Sequence, residues 1–329
     1  MSNSTPETIF FFADYEATGT NMYVYLTATL LAYLSIVFVN VLLITVITRE
    51  RKLHEPMYIF ICCLSLNGLY GSSAFYPECM TNLLSEAPSI SRIGCFIQLF
   101  VIHTYIGFEY SILALMAYDR YVSICHPLRY NSIMTPSKVT QLLLIVYLYP
   151  VCIFCIDFAL IVQLPLCGSL IEKVYCDNVS VIKLSCVDSS FNNGFGLFVS
   201  TVFVAPPFLV IFYSYIRILT VCLKASKEAR FKALETCTPH LLTFMNYCIA
   251  TCFEFVHKQF DLSNIPNIVC VVMSIDVLLL PPLFNPIIYG IKMQEIRKRI
   301  LKIHSSRKNY AIERTVKNEQ KVVCLSHSV

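Results

Sequence analysis

The sequence is poor in charged residues and contains no tryptophan at all. Only 14% of its 329 residues are Asp, Glu, Lys or Arg, whereas 56% are hydrophobic. Soluble domains usually carry about 25% charged residues, so this composition excludes an ordinary soluble globule. Although a chain of this length could form two soluble domains, we expect one membrane domain.

Patterns that would indicate other functions are also missing. The chain has no duplicated or inverted halves, which argues against most transporter folds and leaves a transporter or channel as a weaker alternative. It has no Gly-x-Ser-x-Gly and no His-Glu-x-x-His, because the fragment His54-Glu55-Pro56 lacks a second histidine. The sequence therefore does not predict an enzyme.

The N-terminal segment, residues 1–21, lacks a basic leader followed by an apolar run. Phe10-Phe-Phe12 is too short for such a run, so we expect no cleaved signal peptide. The sequon at Asn3 predicts glycosylation on the outer side of the membrane. A second sequon, at Asn178, lies two residues from Cys176, and we do not expect it to be used.

Seven apolar stretches are long enough to span a bilayer, which requires about 20 residues each. They cover residues 22–48, 58–84, 95–122, 138–163, 194–223, 234–256 and 268–290. We predict an all-α membrane protein with a seven-transmembrane-helix bundle over residues 22–290. Residues 291–303 alternate apolar and basic faces and predict a short amphipathic eighth helix on anionic lipid. Residues 304–329 are predicted to form a polar cytoplasmic tail.

The positive charges are sorted along the chain. Of the 25 Lys and Arg residues, 21 fall on one side of the predicted spans and only Arg92, Lys173, Lys183 and Lys258 on the other. By the positive-inside rule, the N-terminus is extracellular and the C-terminus cytoplasmic. The net charge of +4 then needs no nucleic-acid partner to explain it.

The third span ends in an Asp-Arg pair followed by a basic loop, Met116-Ala-Tyr-Asp119-Arg120-Tyr-Val-Ser-Ile-Cys-His-Pro-Leu-Arg-Tyr130. Cys95 lies 25 residues before Arg120, and a helix of that length is roughly 37 Å long, enough to cross the bilayer. An isolated Asp-Arg pair would be ordinary charge at a membrane edge. This 15-residue string, however, resembles the end of the third helix in the odorant-receptor branch of rhodopsin-like G-protein-coupled receptors.

Three other segments resemble the same family in the expected order: Leu53 to Tyr58, Lys232 to His240 (with Pro239 a variation) and Pro281 to Tyr289. The resemblance implies a plasma-membrane receptor that binds a small odorant and activates a stimulatory, olfactory-type heterotrimeric G protein to raise cAMP. It implies switch and coupling roles for Asp119, Arg120, Tyr121, Tyr215, His240, Asn285, Pro286 and Tyr289. A structural kink at Pro286 and an interfacial Tyr215 are the plainer alternatives. A rhodopsin-like receptor for a non-odorant metabolite would share these motifs.

The second span departs from the wider family. Where rhodopsin-like receptors usually carry a sodium-binding aspartate, this chain has Gly68 within Asn67-Gly-Leu-Tyr-Gly71, a stretch more similar to the odorant receptors of fishes. This similarity implies a water-borne ligand. Glu109, roughly 16 Å deep, is a candidate ion site that could bind Na⁺. Equally, Glu109 could be neutral and hydrogen-bonded to Asn40, Asn67 or Asn285.

Four cysteines, Cys95, Cys167, Cys176 and Cys186, lie at or in the predicted outer loops. In an oxidising compartment they allow three pairings, among which the residues alone do not choose. The family resemblance implies Cys95–Cys176 and Cys167–Cys186. Most of the other cysteines lie in apolar runs and are expected to pack as small hydrophobic residues, so no metal site is predicted.

The predicted odorant pocket is apolar with few polar groups. Its residues come from the third, fifth and sixth spans: Ile102, His103, Ile106 and Gly107; Val199, Ser200 and Phe203; Thr251, Cys252 and Phe255. Ile102 stands where an amine receptor would carry an aspartate, which argues against a biogenic amine. His103 is expected to be a packing residue more readily than a ligand contact. Asp157, Glu254 and Asp276 would favour a cationic or strongly polar odorant.

Overall fold

The computed structural model describes residues 9–13, 15, 21–259 and 267–302. The predicted glycosylation at Asn3 and the predicted tail at residues 304–329 lie outside these residues, so both stay predictions.

Seven long helices form the bundle predicted from the sequence. They are α1 (Met22–Arg49), α2 (Pro56–Leu83), α3 (Arg92–Cys125), α5 (Pro136–Val162), α7 (Ser190–Lys224), α8 (Lys227–Gln259) and α9 (Asn267–Lys292). The short helices α4 (Tyr130–Ile133) and α6 (Asn178–Lys183) lie between them. Six helices of the described chain, all except α8, are long and apolar enough to cross a membrane. Thus α7, α8 and α9 are the fifth, sixth and seventh helices of the bundle.

Helix α3 lies at the centre of the bundle and is the most buried of the long helices. It packs against α2, α5, α7 and α8. Helix α7, by contrast, buries one stripe of residues spaced three or four apart: Val199, Phe203, Pro207, Ile211, Ser214, Ile218 and Cys222. Such a stripe is the pattern of a helix that faces its neighbours on one side and lipid on the other.

Side chains and prolines define several helix starts. The Ser91 hydroxyl accepts a hydrogen bond from the Gly94 N–H, and Thr135 caps α5 in the same way through Lys138. Pro56 occupies the first turn of α2, where its missing N–H needs no partner.

Helix α8 starts earlier than the sequence predicted. The predicted span starts at residue 234, whereas the helix begins at Lys227 and only residues 225–226 separate it from α7. Apolar length detects only the part of a helix inside the bilayer, and residues 227–233 contain no glycine or proline to end the helix. Lys227 and Arg230 are therefore helical residues.

A small sheet covers one end of the bundle and was not predicted. Strand β1 (Ile9–Phe12) lies between β2 (Ser89–Ser91) and β3 (Leu170–Ile171), antiparallel to β2 and parallel to β3. Phe10 and Phe12 point into the core, whereas Ile9 and Phe11 are exposed. The start of the chain thus closes this end of the bundle with two buried aromatic rings.

The two disulfides implied by the family resemblance are present, Cys95–Cys176 and Cys167–Cys186. Both lie beside the sheet, and we call this end of the bundle the disulfide end. We call the opposite end, where α3 finishes, the Arg120 end.

At the Arg120 end, a further helix, α10, occupies residues 294–302 of the described chain. Ile296 is fully buried on its inner side, while Arg297 and Lys298 are exposed. Arg299 forms an ion pair of 3.2 Å with Glu50 at the end of α1. The helix has the apolar and basic faces expected of the amphipathic eighth helix.

Candidate functional site

At the Arg120 end, the Asp119 carboxylate is occupied on both oxygens. Arg120 Nη2 lies 2.6 Å from Asp119 Oδ2, and the Tyr130 hydroxyl donates a 2.7 Å hydrogen bond to Asp119 Oδ1. Burial, together with the neighbouring carboxylate, raises the pKa of Tyr130, so this hydroxyl keeps its proton and remains a donor. Arg120 is thereby held against its own helix.

His240 of α8 joins three helices of the bundle and is fully buried. Its Nε2 lies 2.9 Å from the Leu113 carbonyl oxygen in α3, and its Nδ1 lies 2.5 Å from the Tyr215 hydroxyl in α7. A carbonyl oxygen only accepts, so Nε2 carries the proton and Nδ1 accepts from Tyr215. Tyr215 therefore points into the bundle and not to an interfacial belt.

The other residues predicted for the switch lie near this group. Tyr121 contacts His126 at the loop after α3, with 3.2 Å between its hydroxyl and Nε2, and its ring lies 6.0 Å from that of Tyr213. Tyr289 is fully buried in α9. Asn285 and Pro286 are buried in the preceding turn.

Glu109 is buried and accepts hydrogen bonds from two asparagines. Asn67 Nδ2 lies 2.8 Å from one carboxylate oxygen, and Asn285 Nδ2 lies 2.7 Å from the other. Asn40, the third partner considered, instead donates to the Pro282 carbonyl oxygen at 2.7 Å. Glu109 thus links α2, α3 and α9 at the middle of the bundle.

Next to Glu109, two amide oxygens are placed where they could bind a cation. The side-chain oxygens of Asn67 and Asn285 are buried without a hydrogen-bond partner among the described residues. Carboxylate and amide oxygens are the ligands that hard cations prefer. Within the described chain, no group of three or more His, Cys, Asp or Glu residues is placed to hold a metal.

Gly68 and Gly71, the glycines of the departing stretch in α2, allow two close helix contacts. A Cβ at Gly68 would lie 3.3 Å from Cα and Cβ of Pro282 in α9. At Gly71, the Cβ would meet the Tyr105 ring at 2.5 Å, and the Tyr105 hydroxyl donates to the Val277 carbonyl oxygen at 2.9 Å. The space next to Gly68, where rhodopsin-like receptors usually carry an aspartate, is therefore filled by Pro282 of α9.

The α3 part of the predicted pocket is partly engaged in packing. Ile102 is buried, and His103 Nδ1 lies 2.9 Å from the Leu99 carbonyl oxygen. The His103 ring stacks on Phe154 of α5, with centroids 4.8 Å apart and planes 5° apart. His103 is thus a packing residue against α5, in line with the preferred interpretation.

Helix α7 presents Val199 and Phe203 to the interior, whereas Ser200 is exposed and donates to the Gly196 carbonyl oxygen of its own helix. Gly107 is covered, because a Cβ there would lie 2.4 Å from Phe203 and 2.6 Å from Pro150. This part of the predicted pocket is therefore a contact between α3, α5 and α7, without space for a ligand at Gly107.

Two tyrosines attach α8 to α3 at the predicted pocket residues Ile106 and Thr251. The Tyr110 hydroxyl lies 2.6 Å from Thr251 Oγ1, and the Tyr247 hydroxyl donates to the Ile106 carbonyl oxygen at 3.2 Å. The two rings pack edge to face, with centroids 4.7 Å apart. The side chains of Cys252 and Phe255 lie outside the described part of α8. Sequence reasoning missed Tyr110, which only the three-dimensional pairing with Tyr247 distinguishes from other apolar residues of α3.

Comparison with known proteins identifies the family. The olfactory receptor family model matches residues 29–307. Human olfactory receptor 52R1 is 37% identical over 267 residues, covering 80% of this chain and 84% of that protein. Human olfactory receptor 51E1 is 35% identical over 273 residues (82% and 85%), and human olfactory receptor 6K3 is 33% identical over 303 residues (92% and 90%).

Receptors of this family are multi-pass proteins of the plasma membrane and are not enzymes. The matches cover the Asp119–Arg120 end of α3, the His240 contact and the Glu109 network in one continuous segment. The chain therefore belongs to the olfactory receptor family of rhodopsin-like G-protein-coupled receptors.

Proposed function

We propose that this protein is an odorant receptor that binds a small odorant between α3, α7 and α8 near the disulfide end. Binding there activates a stimulatory, olfactory-type G protein at the Arg120 end and raises cAMP. In this proposal the disulfide end is extracellular and the Arg120 end cytoplasmic, as the positive charges and the two disulfides support.

The observation that carries the proposal is the series of contacts between α8 and α3. Thr251 contacts Tyr110, Tyr247 contacts Ile106, and His240 contacts the Leu113 carbonyl oxygen. These contacts run from the predicted pocket residues Ile106 and Thr251 towards Arg120, so α8 moves away from α3 only if they break. A ligand that displaces Tyr247 or Thr251 would weaken the contacts nearest to it and favour the open state.

The contacts at the Arg120 end are consistent with a closed state, in which α7 and α8 pack together beside Arg120. Arg120 is paired with Asp119, and the buried cysteines Cys222 of α7 and Cys237 of α8 pack together next to it. Outward movement of α8 would separate Cys237 from Cys222 and open a groove beside Arg120. A groove at this position would accept a segment of the G protein.

We also propose Glu109 as the residue that would hold Na⁺, with the side-chain oxygens of Asn67 and Asn285 as further ligands. These two amide oxygens have no hydrogen-bond partner in the part of the chain that the structure describes, which supports the proposal. Na⁺ at this place would hold α2, α3 and α9 together and favour the closed state.

The experiment is cAMP measurement in cells that co-express the receptor with an olfactory-type stimulatory G protein. The panel should include acidic, neutral and cationic odorants, and an extracellular antibody against an N-terminal epitope should report surface level and orientation. We expect a concentration-dependent rise in cAMP that Arg120→Ala abolishes at equal surface level.

The matched control is Arg49→Ala, which removes an exposed arginine from the end of α1 at the same face of the bundle. Its response should equal that of the wild type. If the receptor reaches the surface and no odorant raises cAMP, a rhodopsin-like receptor for an internal metabolite becomes the better proposal.

A further inference from the structure

An apolar groove lies on the outside of the bundle, between α3 and α5 near the disulfide end. Its volume is about 360 Å³, within the range of small-molecule sites. The residues that line it are all apolar: Ile93, Phe96, Ile97, Phe100, Val101, Phe158 and Val162. Ile97 is 59% exposed, so the groove opens away from the bundle and towards the lipid.

The length of the groove along α3 is similar to the thickness of one membrane leaflet. Ile93 and Val101 are eight residues apart on α3, so the groove runs roughly 12 Å along the helix. One leaflet of the hydrocarbon core is about 15 Å thick. A single acyl chain lying along α3 would therefore remain in contact with the groove through most of its leaflet.

A cation stands at the end of the groove nearest the disulfide end. Arg92 begins α3, and its guanidinium carbon lies 5.6 Å from the centre of the Phe96 ring, which itself lines the groove. Among the described residues, no carboxylate lies within ion-pair distance of Arg92. The stacked guanidinium keeps free N–H groups, and these groups bind phosphate in a fork geometry.

We propose that this groove is a binding site for one phospholipid of the outer leaflet. Its phosphate pairs with Arg92, and one of its acyl chains lies against Ile97, Phe100 and Val101. Charge complementarity selects the occupant. An apolar groove that ends at an arginine without a carboxylate partner in the described part of the chain matches an anionic group at the head of a hydrocarbon chain. The assignment to the outer leaflet rests on the orientation given under the proposed function.

The site shares a wall with the predicted odorant pocket. Phe100 lines the groove, and its ring centre lies 5.8 Å from that of Phe154. Phe154 in turn stacks on His103 and contacts the Phe203 ring edge to face at 6.4 Å. A lipid chain that shifts Phe100 would therefore reach His103 and Phe203 through one intervening ring, and lipid occupancy would tune the odorant response.

The test is native mass spectrometry of the purified full-length receptor, titrated with palmitoyl-oleoyl phosphatidylcholine. We expect one tightly retained lipid on the wild type. Arg92→Gln should weaken retention about tenfold, since it removes a charge-assisted contact, while Arg92→Lys keeps most of it. Ile97→Trp fills the groove and should abolish retention. Ile156→Trp is the matched control, because Ile156 is also an isoleucine of 59% exposure, placed on α5 outside the groove.

Two further ligands test whether retention depends on the phosphate of the lipid or only on its hydrocarbon chain or negative charge. Diacylglycerol lacks the phosphate, and oleate carries a carboxylate without a glycerol phosphate. Preferential retention of phosphatidylcholine, lost in Arg92→Gln and Ile97→Trp, supports the site. Equal retention in all variants, or equal retention of diacylglycerol or oleate, overturns it. None of these measurements requires an odorant or a G protein, so failure here is distinguishable from failure of the proposed function.

Discussion

The side-chain amide of Asn178 donates a 2.7 Å hydrogen bond to the buried carboxylate of Asp157, which joins α6 to the end of α5. Asn178 is also the asparagine of the second sequon. Its amide nitrogen is the atom that would carry a glycan, and a glycan there would replace one of its two hydrogens beside the buried Asp157 carboxylate, so the contact disfavours glycosylation.

We therefore predict that Asn178 is not glycosylated. Endoglycosidase treatment of the receptor should increase its mobility on a gel, and Asn3→Gln should remove this shift. Asn178→Gln should leave the glycan shift intact but lower stability, since a hydrogen bond to a charged group contributes about 1.5–3 kcal/mol. A residual shift in Asn3→Gln that disappears in the double variant would contradict the prediction.

Breaking the His240 contact should raise basal activity. His240→Ala removes hydrogen bonds to both Leu113 and Tyr215, and each is expected to contribute about 0.5–1.5 kcal/mol. If these hydrogen bonds stabilise the closed state, the loss of each one should raise the open fraction roughly two- to tenfold. Tyr215→Phe is the milder comparison, because it removes one hydroxyl and leaves the ring. cAMP without ligand, normalised to surface level, is the measurement, and unchanged basal cAMP in both variants would contradict the expectation.

Placing at Gly68 the aspartate that rhodopsin-like receptors usually carry should destabilise this receptor. A Cβ at this position already lies 3.3 Å from Pro282, and the added carboxylate would be buried between α2 and α9. We expect Gly68→Asp to lower the free energy of unfolding by at least about 1–3 kcal/mol, seen as a lower thermal midpoint in detergent. Gly194→Asp is the control, because a Cβ at Gly194 has no neighbour within 4 Å among the described residues apart from the adjoining backbone of its own helix.

Sodium dependence tests the role of Glu109. If Glu109 holds Na⁺, replacing NaCl by N-methylglucamine chloride should shift the odorant concentration–response curve of the wild type to lower concentrations. Glu109→Gln should then respond equally in both salts, because the amide has the shape of glutamate without its charge. If the concentration–response curve of the wild type is the same in both salts, Glu109 does not hold Na⁺ and serves only as a hydrogen-bond acceptor for Asn67 and Asn285.

Strand β1 allows the effect of a buried and of an exposed phenylalanine on stability to be compared at two consecutive residues, Phe10 and Phe11. Phe10→Ala empties a fully buried site, and such a change typically costs about 3–5 kcal/mol. Phe11→Ala changes an exposed neighbour and should stay within about 0.5 kcal/mol. Thermal inactivation of the solubilised receptor is the measurement, and similar effects for both would show that the sheet does not stabilise the bundle.

Features encoded in a continuous segment were accessible from the sequence. The seven spans follow from apolar length, and Pro56 and Thr135 mark two helix starts by local chemistry. The disulfide pairing came from the family resemblance and not from the residues themselves. The early start of α8 was missed because a helix that extends beyond the bilayer loses its apolar signal.

Features made by distant pairings were not accessible. Strand β1 has four residues and its partners start at Ser89 and Leu170, so neither its length nor its spacing distinguishes it from a loop. The contact of Gly68 with Pro282 and the covering of Gly107 by Phe203 depend on how close two helices approach. That distance is set by the fit of side chains across the whole bundle, which local sequence does not contain.

The position of β1 in the middle of its sheet has a consequence for biosynthesis. Phe11 pairs with Leu170, and four membrane helices, α1, α2, α3 and α5, lie between them in the chain. The sheet is complete only after all four helices and the segment beyond them have been made. Among the described residues, the first to leave the ribosome are therefore among the last to reach their final place.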